Sequence, residues 1–148
     1  MNLFALDTNL LVYAHNADSV FHTKASAFVE QVMNERDAEG KLSIRIPVQV
    51  FMEFIHVMTW AQLEKPISLS SAIRIVQDYL DSGVSLIHQQ HTQLQTTLEL
   101  LQKTQSRKRL FDVALAATLK NNHVVGLYTV NTKDFEIFDF LKVINPLE

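Results

Sequence analysis

The chain has 148 residues, 47% of them hydrophobic, with 13 basic against 16 acidic side chains for a formal charge of -3. Zero cysteines exclude a disulfide framework and thiolate metal centres, and a net negative surface excludes general attraction to polyanions, so any nucleic-acid contact must rest on local basic patches or a bound cation. No apolar run approaches the roughly 20 residues that cross a bilayer, and no basic stretch with an apolar run and cleavage site leads the chain. With 3 glycines, 3 prolines and no linker-like tract, the expectation is a single cytoplasmic domain over residues 1–148 with material for a full core.

Hydrophobic patterning alternates between strands and helices. Residues 2–7 read as a buried strand and 9–14 as a short helix. Residues 22–38 form an amphipathic helix through Ala25, Phe28, Val29 and Val32, closed by Gly40. A second strand over 42–46 is followed by Pro47, suited to the first turn of a helix running to about residue 63. Ser68 or Ser70 caps a helix through Ile73, Val76 and Leu80 that Gly83 ends. A strand over 84–87, helices over 92–104 and 110–122, a strand over 124–130 and a weak one over 142–144 complete the order. This succession predicts an α/β fold: three α/β/α layers around a mainly parallel central sheet.

Four carboxylates stand in unusual surroundings. Asp7 ends the first strand directly after Leu3, Phe4, Ala5 and Leu6, and Asp134 follows the strand over 124–130. Glu53 and Asp112 lie on helices. A parallel sheet opens its binding crevice at the strands' C-terminal ends, where the strand order reverses. Asp7 and Asp134 reach that crevice directly, and the other two reach it by tipping in from their helices. Gathered carboxylates raise one another's pKa unless cations neutralise them, so a hard divalent cation is the natural occupant and a metal-dependent nuclease the natural reading. Ordinary explanations compete. Glu53 shares a solvated face with Gln49, His56 and Trp60, Asp112 suits the first turn of a helix, and Asp134 suits the N-cap of the turn from Phe135 to Phe138. Against the second, the face of Asp112 continues inward through Ala116 and Leu119. Asp7 has no such account.

The run LDTNLLVYA from Leu6, Glu53 and Phe54 within PVQVFMEF, FDVALAATLKNN from Phe111, and TVNTKDF from Thr129 together resemble the motifs of PIN domains, most closely the VapC-type toxins of bacterial toxin-antitoxin systems. The resemblance covers nearly the whole chain in the right order. It implies a ribonuclease dependent on Mg2+ (or Mn2+), with Asp7, Glu53 and Asp112 at the three main acidic positions and Asp134 as a weaker fourth. Many PIN domains carry an acidic residue two after the threonine, where this chain has Asn131. Thr8, Asn9 and Thr129 match supporting polar positions, joined by Asn131. Because magnesium keeps several waters, one or two direct carboxylates per ion suffice, here Asp7 and Asp112. The implied products carry 5′-phosphate and 3′-hydroxyl ends, and Arg107, Lys108 and Arg109 are expected either to hold the RNA backbone or, equally, to form a solvated loop.

The resemblance also implies a two-fold homodimer and a small antitoxin protein whose tail enters the acidic cleft. Apolar residues Phe51, Phe54, Ile55 and Met58, with Ile73, Val76 and Leu80, exceed what one sheet face needs, which points to an interface. Phe51, Phe54 and Trp60 read as core or interface rather than as base-stacking platforms. The six histidines show no zinc-ligand spacing, although His15 and His22 flank the first motif within reach of a substrate. Rival readings fail on particular residues. A haloacid dehalogenase phosphohydrolase needs a second aspartate where Asn9 stands, and a phosphoacceptor receiver module needs an acidic pair near the first strand, although Lys133 mimics its lysine. An RNA-binding scaffold without cleavage, or an RNA-processing nuclease outside toxin systems, remains as an alternative.

Overall fold

The computed structural model describes residues 3–105 and 109–148. Strand β1 (Phe4–Leu6) runs into helices α1 (Thr8–His15) and α2 (His22–Asn34), followed by β2 (Ile44–Pro47), α3 (Val48–Met58), α4 (Leu69–Asp81), β3 (Ser85–Ile87), α5 (Gln93–Thr104), α6 (Leu110–Asn121), β4 (Gly126–Tyr128) and β5 (Lys142–Ile144). The strands lie in the order β3-β2-β1-β4-β5, and every neighbouring pair is parallel. The mainly parallel sheet expected from sequence is thus wholly parallel. The chain moves outward from β1 through β2 to β3, then returns to place β4 on the other side of β1. Right-handed crossovers therefore put α1 to α4 on one face and α5 with α6 on the other. Leu6, Leu10, Leu11, Phe54, Leu119, Leu127 and Phe135 are fully buried at the centre of the core.

Several elements end earlier than their sequence patterns suggest, each for a local reason. The helix expected to reach residue 38 stops at Asn34, because Glu35 is extended and Arg36 forms an antiparallel bridge with Leu42. Helix α3 stops at Met58, not near residue 63. Thr59 turns its hydroxyl back to the Ile55 carbonyl at 2.7 Å, and the Met58 carbonyl accepts from Ile67 N–H at 2.9 Å instead of continuing the helix. Pro47 stands one place earlier than expected, as the extended residue that ends β2 and precedes α3. In β4 only residues 126–128 pair, because the N–H groups of Val125 and Gly126 both point to the Leu3 carbonyl, at 3.2 and 3.1 Å. Gly126 lies opposite Phe4, where any Cβ would overlap the Phe4 ring.

The apolar surplus lies only partly where the sequence suggested, with Ile73 of the expected set exposed and Val76 and Leu80 half-buried. Phe51, Phe54 and Met58 are buried in the core, whereas Met52, Leu94, Leu98 and Phe111 are exposed. No helix among the described residues is long and apolar enough to cross a membrane.

Candidate active site

The sheet reverses its strand order between β1 and β4, and Asp7 emerges at that point. Its N–H donates to the Tyr128 carbonyl at 2.9 Å, one step beyond the paired strand. Its side chain then turns to cap α1, with Oδ1 accepting from Thr8 N–H at 2.8 Å and Oδ2 from the Thr129 hydroxyl at 2.7 Å. Thr129 is fully buried. Its Oγ1 in turn accepts from the Asn9 side-chain amide at 3.3 Å and from Asn131 N–H at 3.0 Å. Thr8 extends the network, its hydroxyl donating to Glu53 Oε2 at 2.8 Å while its N–H serves Asp7. Asp7 and Glu53, from the first strand and the third helix, are therefore joined through one threonine.

The electrostatics bring in the other two carboxylates. Burial pushes the Asp7 carboxyl up to about 6; the hydrogen bonds from Thr129 and Thr8 oppose that rise, and the charges of Asp112 and Glu53 add to it. Asp112, in the first turn of α6, is also raised, first by burial and then by Asp134 and Glu53, with Arg109 pulling the other way. Asp134 sits in the short 3-10 turn Thr132–Asp134 and caps nothing there with its side chain. The four carboxylates thus share one electrostatic neighbourhood. Even so, among the described residues no three His, Asp or Glu side chains close into a ready ligand shell.

Of the basic run, Arg109 lies close enough to Asp112 for its charge to be felt, while Arg107 and Lys108 lie outside the described residues. The histidines flanking the first motif both bond within the fold. His15 Nε2 is 2.6 Å from the Tyr79 hydroxyl in the contact of α1 with α4, its pKa lowered by burial, and His22 Nδ1 meets the Tyr13 carbonyl at 3.0 Å. The Asn131 side chain is exposed, and it is the residue's backbone N–H that supports Thr129.

The chain is 25% identical over 147 residues to Ribonuclease VapC24 of Mycobacterium tuberculosis, an alignment covering 98% of this chain and 97% of that protein. By sequence, the chain resembles a VapC ribonuclease along its whole length. No protein-family model matches it. Its fold is shared with Mycobacterium tuberculosis VapC20, a sarcin-ricin loop cleaving toxin, at a TM-score of 0.66 and 12% identity over 88% of this chain and 92% of that one. VapBC2 from Rickettsia felis, in complex with a promoter DNA fragment, matches at a TM-score of 0.63 and 20% identity, covering 97% and 98% of the two chains.

The carboxylate and hydroxyl oxygens gathered at the crevice, from Asp7, Glu53, Thr8 and Thr129, are a set that suits a hard cation and ill suits zinc or copper. One supporting residue escaped the sequence reading. The Gln49 amide donates to Glu53 Oε1 at 2.7 Å and to the Phe111 carbonyl at 3.1 Å, tying α3 to the first turn of α6. The only sequence signal for it was the four-residue spacing to Glu53. Glu53 and Asp112 also line a groove of about 780 Å³ that runs on past them between α3 and α6.

Proposed function

We propose that the chain is a metal-dependent endoribonuclease, the toxin of a toxin-antitoxin pair, acting in the cytoplasm on single-stranded RNA. The observation that carries this reading is the buried Asp7 carboxylate at the switch point of the sheet, within the electrostatic reach of Glu53 and Asp112 and held by the Thr129 hydroxyl and the Thr8 backbone N–H. A carboxyl raised to about 6 by burial and by other carboxylates is one that a cation would stabilise as the anion. The oxygen donor set fits magnesium or manganese, and the absence of a tight three-carboxylate shell fits an ion that keeps most of its waters.

Asp7 and Asp112 would hold the ion, with Glu53 and Asp134 adding negative charge beside them. Once bound, the ion supplies an activated water and positive charge for the phosphate, so no side-chain nucleophile is needed. Thr8 and Thr129 fix the carboxylate rotamers, Asn9 and the Asn131 N–H fix Thr129, and Arg109 meets the RNA backbone together with Arg107 and Lys108. The likeness in sequence and fold to VapC proteins, one of them in a toxin-antitoxin complex, supports the toxin role and a small antitoxin partner. The active form is a homodimer, and the antitoxin inhibits it by placing a basic side chain against Asp7 or Asp112.

The test is cleavage. Purified protein should cut single-stranded RNA with magnesium or manganese, chelator should stop it, and Asp7→Asn should abolish cutting while the circular dichroism spectrum stays native. Undiminished cleavage by Asp7→Asn, with contaminating nuclease excluded, sinks the mechanism.

A further inference from the structure

The groove beyond the acidic cluster plays no part in the chemistry above. Its floor is open and apolar, with Phe111 70% and Met52 66% exposed and Val57 and Ala114 alongside. Each large apolar residue directly precedes a carboxylate of the site, Phe111 before Asp112 and Met52 before Glu53, so the two surfaces are continuous. The Gln49 amide fixes them in register, because one nitrogen bonds both the Glu53 carboxylate and the Phe111 carbonyl. His56 and Gln89 stand exposed at the rim, and among the described residues neither side chain has a hydrogen-bond partner.

An exposed aromatic face beside free imidazole and amide groups suits an unpaired base, which stacks on the ring and is read along its edge. Among the described residues lining it, the groove offers no lysine or arginine to a phosphate backbone. A protein surface laid across the groove would desolvate Glu53 and Asp112 against apolar side chains, which is costly without compensating charge. We propose that this groove seats an unpaired nucleobase of the RNA next to the cleaved phosphate, stacked on the Phe111 ring. The inference rests on the ribonuclease reading and deepens it, since it places one determinant of strand preference on α6 and its reading groups on α3 and in the segment after β3.

The experiment measures binding rather than cutting. In the Asp7→Asn background, a labelled oligoadenylate and an abasic ribose-phosphate strand of equal length are titrated by fluorescence anisotropy. The proteins compared are the parent, Phe111→Ala and Phe111→Trp. Phe111→Ala should weaken the base-bearing strand about tenfold and leave the abasic strand unchanged, and Phe111→Trp should restore binding. Equal weakening of both strands, no weakening, or a parent that does not prefer the base-bearing strand overturns the proposal. So does light scattering in which Phe111→Ala splits a dimer, because the groove is then a contact between copies. Cleavage judges the parent reading separately. A wild type that cuts RNA without base preference keeps the nuclease and loses the seat, whereas base-dependent binding by a chain that never cuts keeps the seat and loses the nuclease.

Discussion

Asp7 shows how a single residue was legible before any coordinates. Four apolar residues leading into a charge and two polar side chains give little reason for that charge, and the structure answers with a carboxylate that caps α1 and is buried deeply enough for its pKa to be pushed up to about 6. Gln49 was not legible, because an amide four residues before a glutamate looks the same on a solvated face as it does bridging two helices. The raised pKa carries a prediction. Between the unfolded value near 3.8 and the folded value of about 6, the metal-free native state binds more protons at Asp7 than the unfolded state does, so stability must fall as pH rises through that window. The loss amounts to on the order of 3 kcal/mol in the ionised form. Urea unfolding of the metal-free protein from pH 4 to 7 should therefore show a falling midpoint, and Asp7→Asn should flatten much of that slope and be more stable than wild type at pH 7. Parallel pH profiles in the two proteins would remove Asp7 from the account.

At the level of elements, the order and type of strands and helices followed from hydrophobic period, and the misplaced ends followed from bonds no period encodes. Nothing in the apolar pattern after Met58 says that its carbonyl will accept from Ile67, or that Thr59 will turn its hydroxyl inward. The pairing of β1 with β4 depends on a similarly hidden fit. Phe4 packs on Tyr128 at 4.7 Å between ring centroids, and Tyr128 on Phe28 at 4.9 Å, with the Phe4 ring lying over the bare backbone of Gly126. Gly126→Ala must displace that ring from its stack and should cost about 1–3 kcal/mol, read as a lower thermal midpoint. Since β1 and β4 carry Asp7 and Thr129 at their ends, cleavage should drop by more than the loss of folded protein explains. A variant of native stability would mean that Phe4 has room to move.

For the whole molecule, a mainly parallel sheet with its crevice was legible because strands and helices alternate, but the parallel pairing of every strand and most of the exposed apolar surface were not. Phe51, Phe54 and Met58 were indistinguishable in sequence from surface residues of the same helix, and only packing sends them inward while Met52 faces out. The exposed pair Leu94 and Leu98, one helical turn apart on α5 and 70% and 52% exposed, is an apolar stripe open to the proposed dimer outside the base-seating groove, as is the pair Leu69 and Ile73 on α4. Light scattering at micromolar concentration should give the mass of two chains, and Leu94→Lys with Leu98→Lys should give one. A wild-type monomer refutes the dimer, and a dimeric double variant moves its contact to another face. The antitoxin should lose inhibition when every arginine and lysine of its C-terminal segment is neutralised.

The bond between Thr129 and Asp7 joins residues 122 positions apart. A chain emerging from the ribosome exposes its first carboxylate almost at once, yet cannot lock that side chain until β4 has been synthesised and has docked against β1. The crevice is therefore absent through most of translation. Products terminated before β4 therefore lack the hydroxyl that holds Asp7, whatever their length.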